Sequence, residues 1–168
     1  MGRIKIGKLV GLVICLVIFS YAVNCYGANE KANENFEQGK KDSSAENLDK
    51  AIADYTKAIK KNPKLVKAYN NRGIAYTKKT KYYLALADFN KAIELDPKDG
   101  KSYNNRAIVH MYLGDYNRVR QDIHKAQSLG VKVDPNFLKK VETLPDVLPP
   151  IFHKPVRTQI KPPKKGNN

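Results

Sequence analysis

The sequence predicts an all-α fold, a right-handed α-solenoid of three stacked helical hairpins closed by a short capping helix, on three observations. The 168-residue chain matches itself best at a shift of 34 residues, the mark of a stacked repeat. Within a unit, apolar and small residues recur three and four apart on both sides of a short polar break, the spacing of two amphipathic helices. Pro63 and Pro97 recur at the same phase, where a proline ends a helix and turns the chain.

The repeats divide the middle of the chain into units 32–65, 66–99 and 100–133. Lys67, Tyr69-Asn70-Asn71-Arg72, Ile74, Tyr82, Asp88, Lys91-Ala92, Leu95 and Lys98 recur 34 residues on as Lys101, Tyr103-Asn104-Asn105-Arg106, Ile108, Tyr116, Asp122, Lys125-Ala126, Leu129 and Lys132. One step back, Gly39, Ala51, Ala53-Asp54, Lys57-Ala58-Ile59 and Pro63 match Gly73, Ala85, Ala87-Asp88, Lys91-Ala92-Ile93 and Pro97. In the middle unit, Tyr69, Gly73 and Tyr76 mark the first helix, Lys78 to Lys81 the break, and Ala85, Phe89, Ala92 and Ile93 the second. The small residues Gly73, Ala85 and Ala92 let backbones approach, and Tyr69, Tyr82 and Phe89 fill the space around them. A single hairpin cannot bury both faces, so stability must come from stacking.

Beyond the third unit, Asp134 as N-cap and Pro135 at the first helical position predict a short helix through Phe137, Leu138 and Val141 that caps the array, placed at 134–144. From Pro145 on, six of the nine prolines stand among Lys154, Arg157, Lys161, Lys164 and Lys165, with Asp146 the only acid. That tail, 145–168, is expected to be extended or disordered.

The first 27 residues read as an address. Arg3, Lys5 and Lys8 precede an apolar run from Leu9 to Phe19 that continues more weakly to Val23, with no acid, the layout of an export signal. The run, about 11 to 15 residues, is shorter than the roughly 20 a spanning helix needs, so cleavage near Gly27 and Ala28 is expected. The alternatives are an anchor formed by residues 9–23 and lipidation at Cys25. The expected location is therefore periplasmic or secreted, with membrane contact only if the segment stays attached.

Composition narrows the function classes. A chain 42% hydrophobic and 28% charged is not a polytopic membrane protein. The net charge is +15, or +12 once residues 1–27 are removed, which raises nucleic acid, anionic lipid and acidic protein as partners. An exported chain is not expected to meet cytoplasmic nucleic acid. The two cysteines, Cys15 and Cys25, form no CxxC or CxxCH, so thiolate metal sites and covalent haem are not expected. No HExxH, GxGxxG, GxxxxGK[ST] or GxSxG occurs, and His110, His124 and His153 are scattered, so no enzyme, metal, cofactor or small-molecule substrate is expected. His110 falls at an aromatic packing position and reads as partly buried and structural. Asp54, Asp88 and Asp122, one per unit on the second helices, read as solvated or inter-repeat polar residues.

The residues Tyr69, Gly73, Tyr76, Ala85, Phe89, Ala92 and Pro97 stand where the signature residues of the tetratricopeptide repeat (TPR) family stand, and the chain resembles that family. The third unit keeps Tyr103, Tyr116, Ile123 and Ala126 but has Ala107, His110, Val119 and Val131 where the signature has Gly, an aromatic, Ala and Pro. In the first unit, Asn35 and Asp42 stand in place of aromatics. The resemblance implies that the first helices line a concave groove, in which residues recurring once per unit form ladders. The candidate groove residues are Lys40, Lys67, Asn70, Asn71, Ile74, Lys101, Asn104, Asn105 and Ile108, with Thr77, Lys78, Met111 and Tyr112 beside them.

In resembling proteins, asparagine at the Asn71 and Asn105 positions contacts the backbone of an extended peptide, which suits an amide that both donates and accepts. Some members clamp a terminal carboxylate. Asn71 and Lys101 match two of that clamp's five positions, whereas Phe36, Lys40 and Asn105 replace its Lys, Asn and Arg. The resemblance therefore implies a non-enzymatic adaptor for an extended peptide, and Lys40, Lys67 and Lys101 favour an acidic one. On the alternative reading, these are tolerated surface amides and a solvated basic face. A rival function is polyanion binding through the basic surface and tail. An exposed end face also leaves self-association open.

Overall fold

The computed structural model describes residues 6–144. Residues 1–5 and the proline-rich tail at 145–168, with the expectations that fall on them, lie outside the described residues. Seven helices occur among the described residues: α1 (Ile6–Ser44), α2 (Leu48–Lys61), α3 (Val66–Lys78), α4 (Tyr82–Leu95), α5 (Gly100–Leu113), α6 (Tyr116–Ser128) and α7 (Pro135–Glu142). The helices pair as hairpins α1/α2, α3/α4 and α5/α6, and successive hairpins stack through α2 on α3 and α4 on α5. Helix α7 lies on α6 as the expected cap.

Helix boundaries follow local chemistry. Asn47, Asp115 and Asp134 accept hydrogen bonds from the backbone N–H groups of Lys50, Arg118 and Phe137 and so start α2, α6 and α7. Pro135 occupies the first turn of α7. Helices α2 and α4 end at Asn62 and Asp96, each followed by a proline. The third hairpin has Val131 in place of that proline, and Gly130, at φ 81°, makes the turn instead. Helix α1 begins well before the first repeat, and the expected signal boundary at Gly27 and Ala28 falls inside it without a break. Ile14 and Leu16 to Phe19, on all sides of that helix, are exposed.

The spacing within hairpins is set by a ring lying on a glycine. A Cβ on Gly39 would stand 2.7 Å from the Tyr55 ring, and one on Gly73 would stand 2.8 Å from the Phe89 ring. In the third hairpin the smaller Ile123 faces Ala107, so the added methyl is accommodated where the ring is absent. Around these contacts, Ala51, Ala58 and Ala68 close the first junction, Ala85 and Val109 the next, and Val119, Ala126, Val133 and Val141 the last.

Asp88 and Asp122 correct one expectation: they are not solvated. Both are about 5% exposed or less, and each is held within its own hairpin by a two-pronged arginine. Arg72 Nε and Nη2 donate to Asp88 at 2.8 and 2.7 Å, and Arg106 to Asp122 at 2.8 and 2.6 Å. The remaining nitrogen of each guanidinium reaches the preceding hairpin, Arg72 to the Thr56 hydroxyl and Arg106 to the Asn90 side chain. In the first hairpin Gln38 takes the arginine's position, and the buried Asp54 pairs with Lys57 at 2.8 Å. His110 is more deeply buried than expected, at 4% exposed, with Nδ1 unpartnered. Burial lowers its pKa from the ordinary 6.5, outweighing Asp122 and Asp115, which favour the cation; Arg118 and Arg106 oppose it.

Gly73→Ala should lower the free energy of unfolding by about 1–3 kcal/mol in urea titrations. Combining it with Phe89→Ile should cost roughly 1 kcal/mol less than the sum of the single changes, because the smaller side chain makes room for the methyl. Because the folded state disfavours protonated His110, stability should fall as pH drops below about 6.5. Thermal melts of His110→Phe between roughly pH 7 and 5 should show a smaller decline than those of the parent.

Candidate functional site

The first helices α1, α3 and α5, continued by α7, form the face on which the candidate residues were expected, and their three junctions differ in chemistry. Between α1 and α3 a hollow of about 280 Å³ is lined by Lys40, Ser43, Ser44, Tyr55, Asn71, Ile74 and Lys78. Tyr55 turns its hydroxyl toward Asn71 and Ser43, and burial pushes that phenol above its ordinary value. Lys40 Nζ lies 2.8 Å from Glu37 and 5.6 Å from the centre of the Phe36 ring. Both members of the Lys40–Glu37 pair are well exposed, so water screens it and Lys40 keeps most of its reach.

The junction between α3 and α5 is closed by polar groups. Asn70 is 7% exposed, and its amide nitrogen donates to Asp99 Oδ2 and Ser102 Oγ, both at 3.1 Å. Its oxygen accepts from Asn105 Nδ2 at 2.7 Å, and Ser102 Oγ donates to Asp99 at 2.6 Å. The expectation that Asn70 is presented to a ligand is therefore corrected. Its side chain is spent tying the second hairpin to the third, because α5 brings Ser102 and Asn105 against it. Asn105 is half-buried and gives its amide N–H to the same network.

Between α5 and α7 a larger hollow of about 390 Å³ is lined mainly by Ile108, Met111, Tyr112, Tyr116, Phe137 and Leu144, with Asn104, Asp134 and Lys140 as its polar members. The Tyr112 ring stacks on Tyr82 with centroids 5.2 Å apart and planes 12° apart. Lys67 and Lys101 are exposed and form no ion pair among the described residues.

Position for position, Asn71 and Asn105 are equivalent in sequence but not in surroundings. The residue one repeat before Asn70 is Phe36, which packs on the Tyr55 ring at 5.9 Å and offers no amide to Asn71. Asn71 therefore stays in a hollow, whereas Asn105 is captured by Asn70. Of the candidates, Lys40, Asn71 and Ile74 come together at one end, and Asn104 and Ile108 at the other. The wall residues Tyr55, Phe137 and Leu144 were not foreseen, because they lie on second helices or the cap. The arginine ties were not foreseen either, although the recurrence of Arg72 as Arg106 was a signal that could have found them. Among the described residues, no cluster of three or more histidine, cysteine or acidic side chains could hold a metal.

Known proteins with the same sequence pattern and fold are repeat proteins. Family models described as TPR repeat and Tetratricopeptide repeat match residues 32–80, 66–99 and 89–121. The first TPR of Spaghetti (RPAP3), solved bound to the HSP90 peptide SRMEEVD, is 27% identical with a TM-score of 0.65, the match covering 68% of this chain and 92% of that one. The Arabidopsis OM64 TPR domain is 26% identical with a TM-score of 0.66, over 68% and 97% of the two chains. The yeast Sti1 TPR2B domain, in its pHsp70 complex, is 28% identical with a TM-score of 0.60, over 68% and 93%. The three family matches together run without a gap from 32 to 121, across all three hairpins, and the chain belongs to the tetratricopeptide repeat family.

Proposed function

We propose that this chain is a non-enzymatic interaction scaffold that binds an extended, acidic peptide segment along the face built by α1, α3, α5 and α7. The observation that carries this reading is the placement of Lys40, Asn71, Ile74 and Lys78 around one hollow, with Lys67 and Lys101 on exposed helix positions and forming no ion pair among the described residues. The amide of Asn71 can both donate to and accept from a peptide unit, and the ammonium groups favour a negatively charged chain. Two similar domains support the reading: one is bound to SRMEEVD, which has three acids in seven residues, and another to a pHsp70 ligand. Phe36, buried in the first hairpin, occupies a position where a carboxylate clamp has lysine, so the ligand need not end in a free carboxylate. The basic residues Arg3, Lys5 and Lys8 and the apolar run behind them support export as the setting.

Selection of peptides by the full chain from a displayed random library should enrich acidic sequences. Asn71→Ala combined with Lys101→Ala should weaken a selected peptide about tenfold with unchanged helicity. Asn70→Ala should instead destabilise the fold by about 1–3 kcal/mol, as it strands buried partners. Affinity that ignores the Asn71 and Lys101 changes, and collapses between roughly 0.1 and 0.3 M salt, would mark a polyanion surface in place of a peptide groove.

A further inference from the structure

The three junctions along the first helices are open, closed and open. Phe36 turns inward at the first, leaving the polar hollow around Asn71 and Lys78. The Asn70, Asp99, Ser102 and Asn105 network seals the second. At the third, α7 and the residues after it supply Phe137 and Leu144, and Asn104, the equivalent of Asn70, lines the hollow. The two open ends differ in chemistry: one is lined mostly with lysine, hydroxyl and amide groups beside Ile74, the other mostly with aliphatic and aromatic groups beside Asn104, Asp134 and Lys140. Tyr112, though 62% exposed, is held at the rim of the apolar hollow by its stack on Tyr82, so the hollow is formed before a ligand arrives. A cavity of about 390 Å³ is in the size range of ligand pockets and admits a large side chain.

The first helices meet one another only lightly, at about 10 Å or more per step, so two steps separate the hollows by at least about 20 Å. An extended chain covers that in about six residues. We infer that the ligand is a peptide bearing acidic residues at one end and a bulky apolar side chain about six residues away, the acidic end meeting Lys40 and Lys78 and the apolar side chain entering between α5 and α7. The charge of the polar end and the apolar lining of the other select this occupant. The inference rests on the groove reading and names its partner chemistry.

The test uses the full chain and labelled peptides in which an Asp-Glu pair and a phenylalanine are separated by about three, six or nine Gly/Ser residues in either order, read by fluorescence anisotropy. The expected result is tightest binding near a separation of six, weakened about tenfold by replacing the phenylalanine with serine. Tyr112→Ala and Met111→Glu, at an exposed and a half-buried position of the wall, should weaken the phenylalanine peptide and leave the serine peptide unchanged. Lys40→Glu should weaken both. Binding that ignores the phenylalanine, Tyr112 and Met111, yet depends on Asn71 and Lys101, overturns the inference and leaves the groove reading standing. Binding that ignores all four residues overturns both. If dependence on the apolar hollow appears only after deletion of 145–168, the chain's own proline-rich segment occupies it and the inference falls.

Discussion

The helices of each hairpin approach as closely as a ring laid on a glycine allows, Tyr55 on Gly39 and Phe89 on Gly73, and the other contacts depend on that separation. At this distance the alanines Ala51, Ala58, Ala85 and Ala92 reach full burial, and a short side chain such as Asp88 meets a long one such as Arg72 across the hairpin. A larger residue at either glycine would push the second helix outward and lengthen every such contact. The third hairpin satisfies the same constraint with different side chains, Ala107 facing Ile123, because what must be conserved is the sum of the two volumes.

The polar contacts do what the small apolar core cannot, which is to define how one hairpin sits on the next. Arg72 and Arg106 each join three helices, so rotating one hairpin against another breaks a charge-assisted hydrogen bond as well as apolar contact. Asn70 performs the same role on the opposite side of α3, joining it to α5. Burial of these groups is tolerated because their hydrogen-bonding capacity is met; His110 Nδ1 is the exception among the described residues, and burial keeps its imidazole neutral more readily.

The ends of the array are where recognition chemistry is left over. A residue in the middle of a stack finds a partner from the next repeat, whereas the same residue at an end faces a hollow. Asn104 stays available because α7 follows in place of a further repeat, and Asn71 because Phe36 offers it no amide, whereas Asn70 and Asn105 bind each other. The groove is thus uneven along its length, polar and basic beside α1 and apolar beside α7, although the repeats that build it are nearly alike in sequence.

Periodicity determined the helix order of the repeats and the break at Lys78 to Lys81, capping chemistry at Asp134 and Pro135 the start of α7, and the signature residues from Tyr69 to Pro97 the family resemblance, since each depends on residues near one another in the chain. It also placed Lys40, Asn71, Ile74, Asn104 and Ile108 on first helices, where they line hollows. Only the tertiary structure decided that Asn70 and Asn105 bind each other, that Asp88 and Asp122 are buried on arginine, and that the α5 junction opens onto Phe137 and Leu144. The physical reason is that a repeat assigns equivalent positions the same residue, while the fate of a polar side chain is set by the neighbour that the next repeat, or its absence, places within hydrogen-bonding distance.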